Sequence, residues 1–358
     1  MQRQLHLNLF ISSRGHHEAA WRHPDATSRL ATDIGYIQEL AQRAEEGLFD
    51  SIFFADALAQ ISESVQLSLR LEPLTVLGAL AVSTKKIGLI ATASTTYTEP
   101  FNLVRQLTSL DHISNGRIGW NIVTSWHAPA ARNFGYEDQM SHADRYARAD
   151  EFMEVARGLW DSWSDNAVAD DRKSGQYLYD NRIRPIEHSG EYYNVAGPLN
   201  IPRGPQGWPV LVQAGSSDTG RRFAAQHAEA VFTAHMQKAT AKAFYSDLKS
   251  LVKARGRNEN QCLILPGLSA VIGSTEAEAK RYNEDLNDLM DPTQGLAMLS
   301  GHFNSTDFSH IPLDTKLSPD DFPDPNTITS GRSRAENILG VVRTERPTMR
   351  QLLSKMAG

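Results

Sequence analysis

Apolar and polar positions alternate along the chain in two rhythms. Short runs rich in β-branched or aromatic residues recur as LHLNLF at 5–10, SIFFAD at 51–56, IGLIATAS at 87–94 and RIGWNIVT at 117–124. After a longer interval come PVLVQAG at 209–215, AEAVFTA at 228–234 and LILPGLSAVIG at 263–273. These seven predict strands. Helical periodicity fills the intervals. Leu30, Ile34, Ile37, Leu40, Ala41 and Ala44 form one apolar stripe, with Gly47 placed to cap it. Pro73 and Pro100 stand where first-turn prolines belong, and Thr275 with Glu278 reads as a capping box. Ser141 stands to cap a helix carrying Tyr146, Phe152, Met153, Ala156 and Leu159. Repeated β-then-α units imply parallel strands covered by helices, hence a doubly wound sheet or a (β/α)8 barrel. Either fold places its chemistry at the carboxyl ends of the strands.

Two stretches break the rhythm. Residues 161–208, polar and rich in Gly and Pro, read as an excursion between the fourth and fifth strands, and 301–334 reads as a lid or mobile loop. The tail RPTMRQLLSKMAG reads as a helix, with no strand after it. The expectation is therefore one α/β domain over 1–358, a TIM-like barrel that is short at its carboxyl end, its eighth β/α unit apparently absent from this chain.

Composition narrows the setting. A formal charge of −6 carries no basic footprint for nucleic acid and no polybasic patch for a membrane, so small molecules or proteins are the expected partners. No apolar run approaches the roughly 18 residues of a span, and the amino terminus passes directly into a strand pattern rather than a leader. One cysteine, Cys262, excludes an internal disulfide and a cysteine-based metal cluster. The expected location is cytoplasmic.

Polar residues gather where the strands should end. In RIGWNIVTS, alternation puts Gly119, Asn121, Val123 and Ser125 on one face, and Ile118, Trp120, Ile122 and Thr124 on the other. The second strand ends in Asp56, the third passes through Thr92, and the fifth ends in Gln213. Each could be a simple turn or cap residue. Their recurrence across four strands predicts one cavity mouth with a polar ligand, because buried polar groups need partners. The following QAGSSDTGRR supplies Gly215 for a tight turn, hydroxyls from Ser216 and Ser217, and a helix start carrying Arg221 and Arg222. Exposed amides and cations at one helix end suit an anion, a phosphate being the simplest, although Ser217 also suits a plain N-cap. His142 and Tyr146, four residues apart, share one helix face that could turn toward this mouth.

Other chemistries find weaker support. His16, His17 and His23 lack the spacing of converging metal ligands, no G-x-S-x-G elbow accompanies Ser216, and no G-x-G-x-x-G fingerprint is present.

Longer blocks are more specific: GHHEAAWRHP, FDSIFFADAL, IGLIATASTTYTEPFNLVRQLTSLDHISNGRIGWNIVTS, DRYARADEFMEVARGLWDSW and GPLNIPRGPQGWPVLVQAGSSDTGR. Through them the chain, from about residue 5 to 355, resembles the nitrilotriacetate, dibenzothiophene-sulfone and long-chain-alkane monooxygenase branch of the bacterial-luciferase-like flavin enzymes. The resemblance implies a (β/α)8 barrel that takes reduced FMN from a separate NAD(P)H-dependent flavin reductase, uses O2 as co-substrate, oxygenates a small organic substrate and forms a homo-oligomer. It implies flavin contacts at Asp56, Thr92, Ser125, His142, Tyr146 and Ser217, with Ser216 nearby. Asn121 would line the same cavity and His16 would stand beside the reactive ring, these two being the catalytic candidates. Metal ligands are not expected. Two alternatives remain at this stage: a deazaflavin-dependent hydride-transfer enzyme, and an inactive, truncated flavin-binding or interaction protein.

Overall fold

The computed structural model describes residues 5–12, 14–60, 70–328 and 331–358. Its centre is one parallel sheet of seven strands in chain order: β1 (Asn8–Phe10), β2 (Ser51–Phe54), β3 (Gly88–Ser94), β4 (Ile118–Val123), β5 (Val210–Gln213), β6 (Ala230–Thr233) and β7 (Leu263–Pro266). The sheet is curled. Phe10 of β1 meets Phe232 of β6 with ring centroids 6.0 Å apart, although four strands lie between theirs in the ladder. Phe53, Ile90, Val212 and Ala230, with Phe10 and Leu265, fill the concave side. Among the described residues no eighth strand joins β7 to β1.

Helices α1 (Ile34–Glu46), α2 (Pro73–Ser83), α3 (Pro100–Ser114) and α4 (His142–Trp160) cover the convex side of β1–β4. Strand alternation explains the division. Ile52, Leu89, Ala91, Ile118, Trp120, Ile122 and Leu211 point toward these helices, while their neighbours in sequence point inward. Trp120 is fully buried there, with its indole N–H donating to the Ala93 carbonyl at 3.1 Å. Pro73 and Pro100 each occupy a first helical turn, and Ser141 caps α4 by accepting from the Asp144 N–H. Two expected termini differ in detail. Gly47 closes α1 at φ −74°, and it is Leu48 that takes the left-handed conformation. Thr275 accepts from the Glu278 N–H, while Glu278 reaches the N–H of Ser274, one residue short of a reciprocal box.

Beyond β5, α5 (Asp218–His227) and α6 (Lys238–Ala254) flank β6, and α7 (Glu276–Asp288), α8 (Pro292–His302), α9 (Arg332–Glu345) and α10 (Met349–Ala357) complete the chain. The final strand is shorter than the LILPGLSAVIG run suggested. Gly267 donates the last ladder bond to Thr233, and a side chain at Gly267 would strike the Phe232 ring at 2.9 Å. Residues 301–328, part of the segment read as a lid, fold around Phe303, Phe308, Ile311 and Phe322, which share a core with α8–α10. No helix among the described residues is long and apolar enough to cross a membrane.

The 161–208 excursion holds two small antiparallel ribbons, Val168–Asp171 with Gln176–Leu178 and His188–Ser189 with Asn194–Val195. Glu151 of α4 ties the second to the barrel. Its carboxylate accepts from the Tyr192 and Tyr193 N–H groups at 2.9 and 2.8 Å and meets His188 Nε2 at 3.1 Å. Burial opposes the charge, but these donors outweigh it and hold the pKa below the ordinary value. A depressed carboxylate contributes stability that is present above its unfolded-state pKa and lost as pH falls through the folded one. Glu151→Gln should therefore lower the melting temperature most near about pH 7 and progressively less toward about pH 3. Thermal melts of both proteins across that range check this, and an unchanging gap would contradict it.

Candidate active site

The inward positions of β3 and β4 carry the first part of the site. Asn121 is buried beside Thr92, its amide donating to Thr92 Oγ1 at 2.9 Å, and Thr92 donates to the Phe54 carbonyl at 2.8 Å. Asn121 Oδ1 has no partner. A buried amide oxygen in that state is unfavourable by about 1–3 kcal/mol unless a ligand donates to it. Four residues further along, Ser125 Oγ donates to Ser94 Oγ at 2.8 Å. Ser125 itself sits at φ 53°, a left-handed geometry that turns the chain sharply out of β4. The Ser125 carbonyl is held by Arg145 at 3.0 Å and Gln139 at 2.6 Å.

Asp56, at the end of β2, shares with Thr92, Ser94 and Tyr97 the wall of a 640 Å³ cavity that runs along α2 and α3 and is not lined by Asn121 or Ser217. Its carboxylate accepts from its neighbour Ala57 N–H at 2.8 Å. Burial raises its pKa against the pull of that bond and of Arg70.

The second part forms where β5 runs into α5. Ser217 caps the helix, its Oγ accepting from the Gly220 N–H at 3.1 Å and lying 3.5 Å from His142 Nε2. His142 and Tyr146 share the α4 face toward this turn, with ring centroids 4.9 Å apart. Burial raises the Tyr146 pKa, opposed by hydrogen bonds with Thr124, Ser217 and Gln213. Tyr146 thus bridges the β4 end to the α5 start. Gly215 serves close approach rather than a special backbone angle. A Cβ there would lie 2.4 Å from Gln213 Nε2 and 3.0 Å from both the Gly220 Cα and the Tyr146 hydroxyl. The expected role of Arg221 changes. It ion-pairs with Asp247 at 2.6 Å and Asp218 at 2.7 Å, so its charge is already met within the protein.

His16 stands apart from both groups, across the mouth on the β1 side, its ring 5.6 Å from Phe10. Surrounding protein, and then the charge of Arg334, lower its pKa. Ser216 Oγ lies 2.7 Å from Ser333 Oγ at the start of α9. Ser94, Arg145, Ser333 and Arg334 were not singled out by sequence reasoning. Ser94 shares the inward alternation of Thr92 and was within its reach; the α9 residues follow an aperiodic stretch and gave no signal.

The site sets a hydroxyl-capped helix start and an unsatisfied amide at the carboxyl ends of a curled parallel sheet, the place where enzymes of the α/β-barrel class carry their chemistry. More narrowly, the chain belongs to the luciferase-like monooxygenase family, whose model matches residues 11–317. It is 42% identical over 358 residues to N-acetyl-S-(2-succino)cysteine monooxygenase of Bacillus subtilis (strain 168), covering all of this chain and 80% of that one. Identity is also 42%, over 369 residues, with nitrilotriacetate monooxygenase component A of Aminobacter aminovorans, covering 99% and 81%. Among solved structures it resembles a riboflavin lyase containing modified FMN and riboflavin, with a TM-score of 0.83, 31% identity, and 96% and 79% of the two chains covered. The chain is accordingly a flavin-dependent monooxygenase.

Proposed function

We propose that this enzyme accepts reduced FMN from a separate reductase and uses it with O2 to oxygenate a small organic substrate beside a heteroatom. The observation that carries the reading is the buried, partnerless Asn121 Oδ1 facing the same concave side as Thr92. FMN offers an anion at one end and hydrogen-bonding ring edges at the other, and the residues fit it. The α5 amides, Ser216, Ser217, His142 and Tyr146 would hold the phosphate, and Asn121, Thr92, Asp56 and Ser125 would border the ring. When bound, the reduced flavin supplies two electrons to O2, so that one oxygen atom enters substrate and the other leaves as water. The protein's part is to orient and to exclude water. Phe10, Phe53 and Phe232 form an apolar floor, and His16 stands at the mouth with an imidazole kept neutral at ordinary pH. A neutral imidazole can accept or donate one proton at either ring nitrogen. The reductase, a homo-oligomeric state and a cytoplasmic location belong to this proposal.

Anaerobic titration with FMN tests the cradle. Ser217→Ala should weaken binding about tenfold to a hundredfold, the loss of one charge-assisted hydrogen bond, without lowering the fold's helical signal. Unchanged affinity would remove Ser217 from the phosphate site. Product analysis with an added reductase then separates oxygenation from the deazaflavin alternative, which requires hydride transfer without O2.

A further inference from the structure

Arg145 lies in the first turn of α4 and is only 7% exposed. Its Nη1 donates to the Ser125 carbonyl at 3.0 Å, and its buried Nε has no partner. No carboxylate pairs with it among the described residues. The adjacent Asp144 turns to its own helix cap, its Oδ2 accepting from Ser141 Oγ at 2.7 Å. Burial lowers the Arg145 pKa, and only the phenols of Tyr146 and Tyr97 oppose that. A cation in the first turn also opposes the helix dipole. Holding the Ser125 turn does not call for this charge, because Gln139, a neutral donor, binds the same carbonyl at 2.6 Å. A buried guanidinium without a counter-ion is unfavourable unless an anion reaches it.

Reduced FMN carries two anionic groups, the phosphate and the ring. The next residue, Tyr146, faces the phosphate side, its ring 5.6 Å from Phe223 of α5 and its hydroxyl close to Gly215 and Gly220. Arg145 lies about 100° round the helix from it. It bonds Ser125 instead, whose Oγ meets Ser94 of β3, the strand that also carries Thr92 on the side proposed for the ring. An oxidised isoalloxazine is neutral. Two electrons and one proton convert it to the reduced ring, which keeps one negative charge.

We propose that Arg145 is the counter-charge of the reduced flavin ring, so that the site holds reduced FMN in preference to oxidised FMN and lets the cofactor go once it is spent. This rests on the flavin reading above. The test is the affinity of the full chain for oxidised and for dithionite-reduced FMN, both titrated without O2. The parent should hold the reduced form at least about tenfold more tightly, equivalent to a two-electron midpoint potential about 30 mV above that of free FMN. Arg145→Gln, or Arg145→Met should the amide fail to fold, should bring the two affinities within about threefold of each other by weakening the reduced form alone, and Arg145→Lys should keep most of the preference. Gln139→Ala loosens the same carbonyl without removing a charge and should leave the ratio as it is in the parent. A parent that binds both forms equally overturns the proposal whatever the variants do. So does an equal loss in both oxidation states in the neutral variants, which would assign Arg145 to the phosphate or the Ser125 turn, and so does an equal fall of the ratio in Gln139→Ala. Failure of the parent to bind FMN in either state would instead sink the flavin reading and this inference with it.

Discussion

Gly215→Val is expected to lower FMN affinity by at least about a hundredfold while the protein remains folded, the equivalent of losing two charge-assisted hydrogen bonds. The first added carbon would already stand 2.4 Å from Gln213 Nε2 and 3.0 Å from the Gly220 backbone and the Tyr146 hydroxyl. Gln213 and Tyr146 must then move. Tyr146 links Thr124 at the β4 end to Ser217 at the α5 start, so its displacement disturbs both ends of the cofactor site. The core beneath is untouched, because Val212 and Phe223 lie on either side of the turn and keep their own packing. Fluorescence titration with FMN, alongside circular dichroism, checks the result. Affinity within about threefold of the parent would show that the turn does not hold the phosphate, since the loss of one such bond exceeds that factor.

Much of this arrangement was legible because the strands announce themselves by alternation. Asn121 stood out as a polar residue within an apolar run, and pairing of Thr92 with Asn121 across β3 and β4 follows from parallel register. Ser141 and Ser217 were legible as caps for the same local reason, a short hydroxyl before a helical pattern. Long-range relations were not. Nothing local in SGRSRAEN indicates that Ser333 meets a hydroxyl 117 positions earlier. The 301–334 segment was read as a lid or mobile loop because Pro and Asp break its periodicity. Its apolar residues are widely spaced, and they converge only where short turns such as Pro319–Asp321 and Pro325–Thr327 fold them together. The charge pattern misled at one place: two arginines after Ser217 looked like anion ligands, yet Asp247, from a different helix, had already claimed Arg221.

His16→Ala should separate oxygen consumption from product formation. The imidazole lies against Phe10 at the rim, not in the phosphate cradle, so its removal should leave FMN affinity within about twofold while product per reduced flavin consumed falls about a hundredfold, the low end of what a positioned acid–base group contributes. The missing product should be recovered as H2O2, because two electrons and two protons then end on O2 alone. Direction of pH dependence follows from the lowered pKa. Surrounding protein and Arg334 keep the ring neutral through ordinary pH, so the coupled reaction should hold its efficiency below the range where a free histidine titrates, and decline only as acid protonates the ring. In His16→Ala that acid limb should disappear. His17, the adjacent histidine, is the control: it is buried, with Nε2 3.3 Å from Asn287 Oδ1, and serves the packing of the amino-terminal segment on α7. His17→Ala should lower the melting temperature and leave the product-to-H2O2 ratio of the folded fraction unchanged. Should His16→Ala lose FMN affinity and product in equal measure, with no added H2O2 per bound flavin, His16 belongs to the scaffold of the β1 turn and the proton is managed elsewhere.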